Sequence, residues 1–93
     1  MVSLILRFRV PDFDTWRPLY EQSYERETVI RSHKIWRGLD DPHLVFLLET
    51  YDSREAAEAL LSSPAIQAEI AEHGIDLASS QLDWLELMDE ASR

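Results

Sequence analysis

Three stretches of this chain read as extended strands that are apolar on both faces, and this constrains the fold more than any other feature. Over residues 2–10, Val2, Leu4, Leu6, Phe8 and Val10 share one side, while Ser3, Ile5, Arg7 and Arg9 share the other. Residues 43–51 set Leu44, Phe46, Leu48 and Thr50 against Val45, Leu47, Glu49 and Tyr51. Residues 81–88 set Leu85 and Leu87 against Leu82, Trp84, Glu86 and Met88. A sheet face left in water alternates with polar residues; it does not hold Ile5, Val45, Leu47, Tyr51, Leu82, Trp84 and Met88 together. The chain has helical segments enough to cover one side only. The second side therefore needs a partner, and a second copy of the chain supplies one.

Local signals divide the chain into six elements. Pro11 stops the first strand, and Asp12 or Asp14 can cap the helix that follows, with Pro18 near its first turn. Phe13, Trp16, Tyr20 and Tyr24 form a stripe at spacings of three and four, and the helix fades over residues 27–29. A second strand over residues 32–37 runs into the turn cluster Gly38-Leu39-Asp40-Asp41-Pro42. After the third strand, Ser53 caps a second helix with Ala56, Ala57, Leu60 and Leu61 inward. Ser63-Pro64 interrupts and restarts that helix, and Gly74 closes it with a left-handed residue. The last strand covers residues 81–88, and residues 89–93 form a loose tail.

The order βαββαβ is that of the ferredoxin-like α+β fold, a single domain over residues 1–93. Right-handed crossovers place the first and third strands at the centre of a four-stranded antiparallel sheet, with both helices on one face. The cleaner apolar set, Leu4, Leu6, Phe8, Phe46, Leu48, Leu85 and Leu87, is expected beneath the helices. The mixed set is expected on the dimer face, where Arg7 lies between Glu49 and Glu86 and pairing makes its charge tolerable. Two such sheets packed together close an α/β barrel.

Composition narrows the function. Hydrophobic residues make up 45% of 93 residues with only two glycines, which favours a packed globule. A net charge of −9 argues against nucleic acid and against anionic membranes. The chain has no cysteine, which removes disulfides, thiol catalysis and iron–sulfur ligation. No apolar run is long enough to span a membrane, and the N-terminal run is broken by Arg7 and Arg9 without a cleavage site; a cytoplasmic protein is expected. Gly-rich phosphate loops, dinucleotide fingerprints and a nucleophile elbow are also missing, so no nucleotide cofactor is indicated. His33, His43 and His73 are scattered without ligand spacing, so no metal site is expected.

The run Arg7-Phe8-Arg9-Val10-Pro11-Asp12-Phe13-Asp14-Thr15-Trp16, with Leu39-Asp40-Asp41-Pro42 before an apolar strand ending in Glu49, resembles the dimeric α/β-barrel superfamily. Leu60-Leu61-Ser62-Ser63-Pro64 and Trp84-Leu85-Glu86 extend the resemblance over most of the chain. That superfamily includes cofactor-free monooxygenases and cyclases of antibiotic biosynthesis, haem-degrading enzymes and stress-response proteins. The resemblance implies a ligand cavity between sheet and helices in each subunit. Many members carry a histidine on the first strand and another midway along the first helix; Phe8 and Ser23 stand at the matching places here. That departure implies a more apolar pocket and argues against imidazole or metal chemistry resting on those two positions.

The implied ligand is a hydrophobic aromatic or polyketide-like molecule, transformed without a cofactor by a monooxygenase or cyclase. Phe8, Trp16, Tyr20, Ser23 and Trp36 are the expected substrate-binding residues: a flat substrate stacks on Trp16 or Trp36 and hydrogen-bonds a tyrosine. His33, at the start of an edge strand, and Tyr24 are the expected catalytic residues, taking or relaying a proton. His43 beside a turn is expected to be solvated, and His73 to complement a helix C-terminus. A non-catalytic ligand-binding, accessory or stress-response homodimer is the alternative. A haem-binding reading requires His33 or His73 as the axial ligand.

Overall fold

The structure, a computed structural model, describes residues 1–92, apart from the side chains of Tyr24 and Glu25. Its elements are β1 (Val2–Arg9), α1 (Phe13–Glu21), α2 (Tyr24–Val29), β2 (Ser32–Arg37), β3 (Leu44–Tyr51), α3 (Arg54–Leu61), α4 (Pro64–Glu72) and β4 (Gln81–Leu85). A short 3₁₀ turn, Leu77–Ser79, precedes β4. The four strands form one antiparallel sheet in the order β2-β3-β1-β4. This is the ferredoxin-like arrangement, with β1 and β3 central and the helices on one face.

Local chemistry sets the helix limits. Asp12 Oδ2 accepts from the Thr15 amide at 3.2 Å, and Ser53 Oγ accepts from the Ala56 amide at 3.1 Å, each satisfying a donor that the first turn leaves open. Pro64 begins α4, where its missing N–H costs nothing. Gly74 follows with φ +70°, and a Cβ there would meet Pro11 Cγ at 3.2 Å. The first helical region is not continuous as expected. Ser23 accepts from the Arg26 amide and starts α2 as a new helix, since a serine side chain competes with the helical ladder for backbone donors.

The register corrects the expected face assignment. Leu4 stands opposite Glu49, Leu6 opposite Leu47 and Phe8 opposite Val45; directly paired residues share a face. Val45, Leu47, Glu49 and Tyr51 are therefore the buried, helix-covered residues of β3, while Leu44, Phe46 and Leu48 lie on the bare side. The same reversal holds in β4, where Trp84 pairs with Leu4 and Leu82 with Leu6 on the helix side, and Leu85 pairs with Ser3 on the bare side. Arg7 is not flanked by carboxylates: it pairs with Phe46 and Gln81, and its guanidinium lies 5.8 Å from the Phe46 ring centroid. β4 ends at Leu85 rather than Met88 because Ser3 is already its partner, and β1 has almost no residues left to pair beyond it.

Two apolar clusters fill the helix side. One joins Phe8, Val10, Trp16, Tyr20, Val45 and Leu47 under α1; the other joins Leu4, Tyr51, Ala57, Leu60 and Ile66 under α3 and α4. Leu6 packs against both.

Candidate functional site

Between these clusters lies a cavity of about 260 Å³. Leu6 and Phe8 of β1, Leu47 of β3, Leu61 of α3, Ile70 of α4, Leu77 and Leu82 give it apolar walls, and Trp16 and Tyr20 of α1 close one end. An aromatic chain holds that end in place. Phe8 meets Trp16 edge-on with centroids 5.3 Å apart, and Trp16 stacks on Tyr20 at 5.3 Å.

Tyr20 marks the passage from grease to charge. Its hydroxyl donates to Glu49 Oε2 at 2.6 Å, and the Tyr51 hydroxyl donates to Glu49 Oε1 at 2.7 Å. Glu49 is fully buried, so the carboxylate depends on these donors and on Arg26, whose Nη1 lies 3.5 Å from Oε2. Arg26 covers the Tyr20 ring at 5.2 Å and extends its Nε toward Glu69 Oε2 at 3.6 Å. Ser23 Oγ completes the cluster on Glu69, at 3.0 Å and 3.1 Å. Burial first, then the charge of Glu49, push the hydroxyls of Tyr20 and Tyr51 well above the ordinary tyrosine range. Both remain protonated donors, committed to Glu49.

Tyr20 and Arg26 also line a second, more polar pocket of about 300 Å³, with Ser23, Arg31, Ser32 and His33 around it. His33 pairs with Glu49 across β2 and β3 and presents its ring edge-on to Tyr20 at 5.4 Å. His73 caps the end of α4, and burial followed by the nearby Arg26 holds its imidazole below the usual histidine value. It therefore meets the helix end uncharged at neutral pH, rather than as the complementing cation that was expected. His43 is not simply solvated: its Nδ1 lies 3.1 Å from the Val10 carbonyl oxygen.

The expected site residues thus separate. Phe8, Trp16 and Tyr20 come together at the apolar cavity; Ser23 and His33 stand in the polar pocket beyond Tyr20. Trp36 is elsewhere: it pairs with Phe46 on the bare face and is 49% exposed, because its position in β2 is out of phase with His33 and Ile35. The Tyr24 side chain lies outside the described residues. Arg26 and Glu49 were missed as site residues. A continuous helix with Trp16 and Tyr20 inward turns Arg26 outward, and only the restart at Ser23 brings it in. The available signal was Glu49 itself, a carboxylate in an otherwise apolar strand that required a buried cation.

Neither His33 nor His73 lines the apolar cavity, so the residues present do not fit an axially ligated haem there. Among the described residues, no group of three or more His, Cys, Asp or Glu side chains could hold a metal ion, and no helix is long and apolar enough to cross a membrane.

No protein-family model matches the sequence, and no curated protein aligns with it. Solved structures do match. SnoaB, a cofactor-independent oxygenase from Streptomyces nogalater, superposes with a TM-score of 0.78 at 11% identity over 99% of this chain and 97% of its own. An antibiotic biosynthesis monooxygenase gives 0.74 at 12% identity, covering 96% and 100%. Rv0793 from Mycobacterium tuberculosis gives 0.70 at 27% identity, covering 98% of both chains. In architecture, this chain is a ferredoxin-like α+β protein with the fold of the antibiotic biosynthesis monooxygenase structures.

Proposed function

We propose that this protein binds a hydrophobic aromatic or polyketide-like small molecule in the helix-side cavity and transforms it without a cofactor, as a monooxygenase or cyclase. The observation that carries the reading is an apolar chamber of about 260 Å³ ending in the buried Tyr20–Glu49–Arg26 cluster. A chamber with mostly apolar walls can hold reacting atoms close, which accounts for much of what a cyclisation needs. Oxygenation of an enolisable substrate needs in addition a group that takes a proton. His33 is assigned that role, at the pocket sharing Tyr20 and Arg26 with the chamber. The low-identity likeness to a cofactor-independent oxygenase supports this chemistry.

The functional unit is assigned as a homodimer. Ile5, Leu44, Phe46, Leu48, Leu85 and Trp36 share the sheet face that no helix covers, and a second copy buries them.

One observation favours a non-catalytic ligand-binding or accessory homodimer instead. The phenols of Tyr20 and Tyr51 are tied to Glu49, so neither is free to accept a proton from a ligand. Oxygen uptake with 9-anthrone tests the monooxygenase reading. It predicts one dioxygen consumed and one water released per anthraquinone formed, with a rate reduced at least tenfold in His33→Ala. Saturable anthrone binding without oxygen uptake above the buffer rate removes the monooxygenase reading and leaves cyclisation or plain ligand binding.

A further inference from the structure

The chamber has a blind end and an open one. Phe8, Trp16, Tyr20 and Leu47 line it from the buried core, whereas Gln67, Leu77, Gln81 and Leu82 line it from the surface. The opening therefore lies between α4 and the segment that runs from Gly74 into β4. Two leucines stand exposed there, Leu77 at 65% and Leu82 at 44%. An exposed leucine by itself needs no explanation, and Leu39, fully exposed between β2 and β3, is such a residue. Leu77 and Leu82 differ because both border one opening into an apolar chamber. Packing does not place Leu77 there, since the turn Leu77–Ser79 has no buried residue. Asp76 holds it instead. The Asp76 amide donates to the Arg9 carbonyl at 3.1 Å, and its carboxylate accepts from the Ala78 amide at 3.1 Å and the Ser79 hydroxyl at 3.0 Å. The Ser80 hydroxyl donates back to the Asp76 carbonyl at 2.8 Å.

We propose that Leu77 and Leu82 form the entrance lip of the chamber, and that an apolar small molecule is held partly by covering them. The ligand passes between these leucines and the α4 residues Gln67 and Ile70. Covering both leucines removes apolar surface from water on the protein as well as on the ligand, so affinity depends on residues outside the buried end. The bonds of the Asp76 turn set Leu77 in position before a ligand arrives, which keeps the ordering lost on binding small. The proposal rests on the ligand-binding reading of this chamber and adds to it the route of entry and two contacts at the surface.

Thiol chemistry tests the assignment, because the chain has no cysteine of its own. In Leu77→Cys, and in Leu39→Cys as the comparison, the introduced thiol is the sole cysteine target for iodoacetamide. With 9-fluorenone at a concentration that equilibrium dialysis shows to be saturating, alkylation of Leu77→Cys should slow at least roughly fivefold and that of Leu39→Cys should not change. An NMR readout on the wild type covers the case in which Leu77→Cys fails to fold or to bind: bound 9-fluorenone should show NOE contacts to the methyl protons of Leu77 and Leu82 and none to those of Leu39. An unslowed Leu77→Cys, equal slowing of both variants, or bound 9-fluorenone without contacts to Leu77 and Leu82 would overturn the entrance alone. If 9-fluorenone does not bind the wild type, the chamber reading fails and the entrance fails with it.

Discussion

The Tyr20 hydroxyl donates to Glu49 Oε2 across 2.6 Å from the opposite layer of the molecule, joining α1 to the centre of the sheet. Tyr51 takes the other oxygen and Arg26 supplies the charge, so a carboxylate with no exposure to water keeps partners on each side. Glu49→Ala should destabilise the protein by about 3–5 kcal/mol, because it strands a buried cation and two phenols. Guanidinium denaturation measures this, and a loss below about 1 kcal/mol would show that the cluster does not support the fold.

The two sheet faces make separable predictions. Trp84 lies on the helix side, with the Arg54 guanidinium 4.7 Å from its ring centroid. Trp84→Ala should cost about 2 kcal/mol and leave the oligomeric state unchanged. Phe46→Glu puts charge at the middle of the bare face and should convert dimers to monomers. Light scattering at micromolar concentration reads both, and a wild-type monomer would remove the dimer from the account.

His73 gives stability a pH dependence of definite sign. Burial, then Arg26, lower its pKa from the ordinary 6.5, so the unfolded chain takes up the proton first. Stability should fall as pH drops from 6.5 toward the lower folded value and level off beneath it. NMR titration of His73 should give a midpoint below 6.5, and His73→Gln should flatten that part of the stability profile. A midpoint above 6.5 would reverse the sign.

Gly74 closes α4 with φ +70° against the Pro11 ring. Gly74→Ala should cost about 1 kcal/mol or more, combining an unfavourable left-handed backbone with a contact at 3.2 Å. A thermal midpoint unchanged from wild type would contradict this.

Features that depend on neighbouring residues were legible in the sequence. The Asp12 and Ser53 caps, the Pro64 restart, the Gly74 close and the limits of β2 follow from side chains within a few positions of each backbone group. The phase of β3 was not legible. Leu44, Phe46 and Leu48 are as apolar as Val45, Leu47 and Tyr51, and a strand rich on both faces gives hydrophobicity nothing to choose between. What decides it is the long-range pairing of Glu49 with Tyr20 and Arg26, which only the folded chain brings together. Phe8, Trp16 and Tyr20 were found through their stripe and alternation. Trp36 was misplaced because an edge strand of mixed composition carries no clear alternation.

The chamber under the helices is most directly tested by binding of 9-fluorenone to the wild type and to Ile70→Trp, which fills the cavity from α4. The account predicts saturable binding at one site per wild-type chain and at least roughly tenfold weaker binding to a folded Ile70→Trp variant. Equal binding by both proteins would place the ligand elsewhere and contradict the assignment of this chamber as the site.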